Sequence, residues 1–203
     1  LLLRQLGKTA FINREKPTPY GEAMSLSWFL ENVFYEVIPT IILKLMKGLQ
    51  IDPEAWRNFD LMKVGFWPGG DRDGNPFVTH ETSLQVAKHL QQTLMRCYYR
   101  DVRFLKRRVT FQGVDRIIAG VEKKVYPLAY GSGEGGYANH EDLLNDLQAA
   151  RKLIIESHNR LFLDLLDEVI LKVRIFGFYF ASMDIPQDSR KHGEAWEAIL
   201  KKL

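Results

Sequence analysis

Residues 69–75 read GGDRDGN, which sets an arginine, two carboxylates and a carboxamide among glycines. Arg72 offers a planar fork of donors that matches a phosphate or a carboxylate, and Asp73 beside it can fix that guanidinium as an ion pair. Gly69 and Gly70 allow close backbone approach to a ligand, or positive φ. Asp71, Asp73 and Asn75 also fall at calcium-ligand spacing, but Pro76 stands where an EF-hand loop needs glycine and Thr82 where it needs a bidentate glutamate. The chemistry that remains is recognition of an anion. Asp184, Pro186, Gln187 and Ser189 make a second polar stretch behind an aromatic run.

Both stretches need an element to hold them. LMKVGFW (61–67) and FGFYFASMDI (176–185) are continuous and aromatic, as strands buried on both faces are. Each leads into a polar loop and then into a helix, after Thr79 in one case and from Arg190 to Leu203 in the other. Strand, loop and helix is the repeating unit of a β/α barrel, whose active site is built from such loops. The fold class expected is mainly α: a helical chain, one unit over 1–203, carrying two strand-loop-helix units of an incomplete β/α barrel.

Helical spacing dominates elsewhere. Leu26, Phe29, Leu30, Val33 and Val37 follow the prolines of KPTP (16–19), and Pro39 predicts a kink before a stop at Gly48. Thr79 caps a helix with the stripe Leu84, Ala87, Leu90, Leu94 and Cys97, which runs to about Arg108. Lys106, Arg107 and Arg108 then complement its negative end. A third helix is predicted from Asn139 through Leu143, Leu147, Ala150, Ile154, His158, Leu161, Leu165 and Val169 to Gly177, with His158 as a hydrogen-bonded interior histidine. GSGEGG (131–136) fits G-x-G-x-x-G, but Glu134 would repel a phosphate, so it reads as a loop. His80, His89, His140 and His192 lack metal-ligand spacing.

The 203 residues carry a formal net charge of +3, too little to imply nucleic acid. A single cysteine, Cys97, excludes an internal disulfide and fits a reducing, cytoplasmic setting. No apolar run approaches the length of a membrane helix, so no membrane partner is expected.

FWPGGDRDGNPFVT resembles the GGDRDGNP signature of phosphoenolpyruvate carboxylase. KPTPYGEA resembles that family's KPTP-x-DEA block, and FGFYFASMDIPQDSRKHGEA resembles FG-x(4)-RLDIRQES-x-RH-x-EA, in the same order along the chain. The resemblance implies a mainly helical, cytoplasmic homotetramer built around a β/α barrel, of which this chain is an internal fragment. It implies carboxylation of phosphoenolpyruvate by bicarbonate to oxaloacetate and phosphate, with Mg2+ as Lewis acid and arginines on the anionic groups. The family's TAHPTE block, with its catalytic histidine, is expected upstream of Leu1, and its metal carboxylates downstream of Leu203. The chain alone is therefore expected to be inactive, with no metal site and no complete catalytic set of its own.

Two departures stand out. Ser182 and Pro186 replace the two arginines of RLDIRQES, and the second of these contacts phosphoenolpyruvate in the family. Near the start, FINRE matches a run whose arginines line a sugar-phosphate activator site in plant enzymes; Arg14 is kept and Asn13 is not. Pro186 also argues for an alternative, a non-catalytic helical module for binding or assembly.

Overall fold

The computed structural model describes residues 1–9, 17–51, 56–131 and 135–202, and its regular structure is helical. A short α1 (Leu2–Leu6) buries no residue. α2 (Pro19–Phe29) begins where the Thr18 hydroxyl accepts the Gly21 amide at 3.0 Å, with Pro19 at a position where its missing N–H costs nothing. One π turn, Leu30–Phe34, joins it to α3 (Tyr35–Gly48). The irregularity expected at Pro39 thus lies earlier, and Pro39 is buried within a continuing helix. The extra residue of the π turn moves the buried row from Leu30 to Tyr35, leaving Phe34 exposed.

Taken together, Pro19–Gly48 is 30 residues long with a mean hydropathy of 1.3 in its most apolar window, sufficient to cross a bilayer. By length and composition, this corrects the expectation that no apolar run approaches a membrane helix. Its inner face packs against other helices, through Ala23, Leu30, Tyr35, Ile38, Ile42 and Met46. Phe29, Val33 and Val37, which carry the helical spacing in the sequence, face outward.

After a 3-10 turn (Phe59–Leu61), α4 (His80–Arg108) forms the axis of the bundle, with α2, α5 and α7 around it. Thr79 caps it by accepting the Thr82 amide at 3.3 Å. Its buried row is Val86, Leu90, Leu94, Cys97, Val102 and Leu105; Leu84 and Ala87 of the expected stripe face solvent. Next comes α5 (Val114–Tyr130), a helix the sequence analysis did not anticipate. Gly120 and Pro127, both poor helix formers, interrupt its pattern, yet Val114, Ile118, Val121 and Val125 are fully buried against neighbours.

The single helix expected from Asn139 to Gly177 is two: α6 (His140–Ser157) and α7 (Leu163–Phe176). Asn159, Arg160 and Phe162 take positive φ of 51°, 60° and 55° in the corner between them. Each costs roughly 1–2 kcal/mol. Folding α7 back buries Leu166, Val169, Ile170 and Val173, which offsets that cost. Arg151 Nε donates to Asp167 Oδ1 at 2.6 Å across the two helices. His158 closes α6, with Nε2 3.2 Å from the Gln112 carbonyl and its ring stacked on Phe111.

Neither expected barrel strand forms. Among the described residues there is no strand, only one parallel bridge, between Gly65 and Ser182. The Phe66 amide donates to Ser182 at 2.8 Å and the Ser182 amide donates to Val64 at 2.9 Å. The physical reason is that two parallel segments without outer neighbours have no ladder to extend. The second segment instead buries Phe176, Phe178 and Phe180 among the helices. The last helix, α8 (Ser189–Leu200), starts one residue before the expected Arg190 and buries no residue.

Candidate functional site

The turn at 68–76 is tied down by its own polar atoms. The Gly70 amide donates to the Trp67 carbonyl at 2.9 Å, Asp71 Oδ1 accepts the Gly74 amide at 3.0 Å, and Asn75 Oδ1 accepts the Phe77 amide at 3.0 Å. Asp71 and Asn75 therefore spend these oxygens on the backbone, as Asx turns do. Ser83, one turn into α4, donates to the Gly69 carbonyl at 2.7 Å and fastens the loop to the helix start. Gly69 has φ +79° and lies against Val86.

Gly70 brings the two polar stretches together, because its Cα faces the backbone carbonyl of Asp184 with no room for a side chain. The Asp184 side chain is exposed, as is Pro186. Gln187 Oε1 accepts the Asp188 amide at 3.1 Å. Asp188 caps α8 by accepting the Arg190 amide at 2.9 Å, and the Arg190 guanidinium beside it holds its carboxyl below the usual range. Ser189 is the exposed first residue of that helix.

The expected Arg72–Asp73 ion pair is absent among the described residues. Asp73 is exposed, whereas Arg72 Nε is buried with no hydrogen-bond partner. The physical reason is that Asp73 projects to solvent, while half-buried Arg72 has its Nε desolvated. A desolvated donor without a partner costs free energy, so a charged acceptor there would gain more than one at the surface. The Thr79 hydroxyl chiefly lowers the Glu81 carboxyl, and Arg72 adds a small contribution. Arg14 lies outside the described residues, as do residues 132–134 of GSGEGG.

The sequence reading missed the most buried charge. Lys172, with a side chain 3% exposed, lies 3.1 Å from Asp101, 3.0 Å from Glu36 and 2.9 Å from Glu168, with its ammonium 4.6 Å from the Tyr35 ring centre. Tyr35 donates to Asp101 at 2.7 Å. Burial would lower the Lys172 pKa, but Asp101 and the hydrogen bonds to Glu168 and Glu36 outweigh it, so the pKa is raised. Burial and Asp101 push the Tyr35 phenol well above its ordinary value. The available signal was a lysine within the apolar run Val169 to Val173. This cluster joins α3, α4 and α7 in the body behind the loops. Half-buried His89, 2.8 Å from the Ser27 hydroxyl, has its pKa lowered, first by burial and then by Arg96.

Fold and loops together define a class: a mainly helical scaffold that holds two polar loops together at a parallel bridge, one with a half-buried arginine whose Nε has no partner. The family model described as phosphoenolpyruvate carboxylase matches residues 2–126 and 120–203. This chain belongs to the phosphoenolpyruvate carboxylase family. It is 24% identical over 232 residues to the phosphoenolpyruvate carboxylase of Shewanella halifaxensis, which covers 100% of this chain and 26% of the relative. The enzyme of that name from Thermus thermophilus is 25% identical over 210 residues, covering 95% of this chain and 24% of the relative. For Roseiflexus castenholzii the values are 23% over 246 residues, 96% and 26%. The chain spans about a quarter of the length of these curated relatives.

Proposed function

We propose that this chain is one part of a phosphoenolpyruvate carboxylase, a cytoplasmic homotetramer that supplies oxaloacetate to central metabolism. The observation that carries the reading is the family match across nearly the whole chain. In this reaction a bicarbonate oxygen attacks the phosphorus of phosphoenolpyruvate and the bridging O–P bond breaks toward the enolate. Carboxyphosphate then releases carbon dioxide and phosphate, and the enolate carbon captures the carbon dioxide.

Within that reading, the 68–76 loop contributes shape and charge. Gly69 and Gly70 let it lie flat on α4 and on the 182–187 segment, and Arg72 supplies a desolvated donor for an anionic group. Pro186 supplies neither a guanidinium nor an amide hydrogen at the second loop. Magnesium finds no holder among these residues: no group of three or more His, Cys, Asp or Glu among those described is placed for a metal ion. Asp71 and Asp188 accept backbone amides instead.

The reading is tested by bicarbonate-dependent oxaloacetate formation from phosphoenolpyruvate, comparing the 203-residue chain with a polypeptide of the relatives' full length that contains it. Activity only in the longer protein supports the reading, and turnover by the 203 residues alone would overturn the partial role. Silence in both favours the second reading, a helical binding or assembly module, for which exposed Pro186 is the specific observation.

A further inference from the structure

Inside a helix, a serine hydroxyl ordinarily bonds back to the carbonyl four residues before it. Ser83, one turn into α4, departs from that habit: its Oγ is 3.2 Å from the Thr79 carbonyl but 2.7 Å from the carbonyl of Gly69, which lies in the loop. A hydroxyl has one proton to give, and the shorter, buried contact takes it. The start of α4 thereby holds the entrance of the 68–76 loop.

The loop passes that hold on to Arg72. Asp71 Oδ1 accepts the Gly74 amide, closing a turn that encloses Arg72 and Asp73. Gly70 is fixed twice, by its amide on the Trp67 carbonyl and by the Asp184 carbonyl against its Cα. Gly69 has φ +79° and lies against Val86, so its carbonyl has little room to turn elsewhere. A segment braced in this way moves as a body, and a shift at Gly69 displaces the buried Arg72 Nε. The second polar stretch refers to the same helix, because Tyr98 donates to the Gly177 carbonyl at 2.8 Å.

We propose that Ser83 is a positioning residue of the carboxylase: by holding the Gly69 carbonyl, it sets Arg72 where an anionic group of phosphoenolpyruvate binds. This role rests on the carboxylase reading and extends it from the loop to α4. A group that binds substrate and transition state alike acts on KM and leaves kcat. Misplacing such a group by about 1 Å costs up to about 100-fold.

The experiment is steady-state kinetics of a carboxylase of the relatives' full length that contains this chain. Ser83→Ala is expected to raise the KM for phosphoenolpyruvate about tenfold, with kcat within about twofold of wild type. Ser83→Thr keeps a hydroxyl that reaches the same carbonyls from a helix, and retains the wild-type KM. In an Arg72→Gln background, Ser83→Ala adds less than about twofold, because the two residues act as one unit. If circular dichroism shows Ser83→Ala unfolded, Ser83→Cys, of similar shape and weaker as a donor, is measured in its place with the same expectations. With an active wild-type protein, an unchanged KM overturns the role of Ser83 alone. An undiminished effect in Arg72→Gln, or a threonine that fails to retain the KM, overturns it as well. A wild-type protein without turnover overturns the carboxylase reading, and this role with it.

Discussion

Gly70 and Asp184 are far apart in sequence, yet the backbone carbonyl of Asp184 occupies the space a side chain on Gly70 would fill. This contact sets the two polar loops at a fixed separation, and the parallel bridge between Gly65 and Ser182 is the only ladder contact that supports it among the described residues. Gly70→Ala is therefore expected to cost about 1–3 kcal/mol, the range for overpacking. Urea denaturation measures this, with Gly120→Ala as control: that position has open space beside it and sits in a helix interior, so alanine there is neutral or stabilising by up to ~1 kcal/mol. Equal effects at the two sites would show that the loops do not depend on the contact.

Lys172→Met leaves Asp101 without its cation in the helix body, and the expected loss is about 3–5 kcal/mol. Glu36→Gln and Glu168→Gln should each cost under about 1 kcal/mol, because both carboxylates are half exposed. Thermal or chemical unfolding of the three variants separates a buried pair from its exposed partners. A Lys172→Met protein as stable as the wild type would remove the cluster from the account of stability.

The Lys172 pKa is raised by its neighbours, so its contribution is complete below the unfolded value of about 10.4 and is lost as pH rises through the higher folded value. Unfolding followed from pH 9 upward should show an alkaline limb in the wild type that Lys172→Met lacks. At the acid end, burial would raise the Asp146 carboxyl, but hydrogen bonds from Lys124 and Tyr137 outweigh it and lower its pKa. Its contribution is present above about pH 3.9 and fades as pH falls through the lower folded value. Asp146→Asn should shorten that acid limb.

Cys97 has no exposed surface, and burial pushes its thiol up to about 12. Native protein at pH 8 is expected to stay unmodified by iodoacetamide, while protein unfolded in urea takes one adduct. Intact mass reads both, and rapid labelling of the native chain would place Cys97 at an accessible surface.

Pro186 is exposed, so Pro186→Arg should leave stability within about 0.5 kcal/mol. In a full-length carboxylase that contains this chain, the added guanidinium should lower the KM for phosphoenolpyruvate about tenfold or more, the scale of a charged hydrogen bond. An unchanged KM would show that position 186 does not face substrate in this protein.

The turn at 68–76 was legible because it is local. GGDRDGN carries its own turn: Asp71 and Asn75 find backbone amides within three residues, and Gly69 supplies the positive φ. The Thr79 cap and the end of α4 at Arg108 follow from equally short-range rules. What needs partners far along the chain was not legible. The corner at 158–162 exists because α7 gains more by returning to the bundle than by extending α6, and the π turn at 30–34 shows only in which residue, Phe34 or Tyr35, meets the core. That Arg72 Nε is buried without a partner could not be read from a sequence that places Asp73 beside it.

By itself, then, the sequence determined the mainly helical class, the Thr79 cap, the tight turn and the family, all properties of neighbours or of ordered motifs. Tertiary structure alone decided which face of Pro19–Gly48 is buried, that two strand-like segments meet at a single bridge, and that Lys172 gathers three carboxylates from three helices. Those outcomes depend on desolvation and packing between residues distant in sequence, and each lysine, proline or aromatic in the string is compatible with more than one of them.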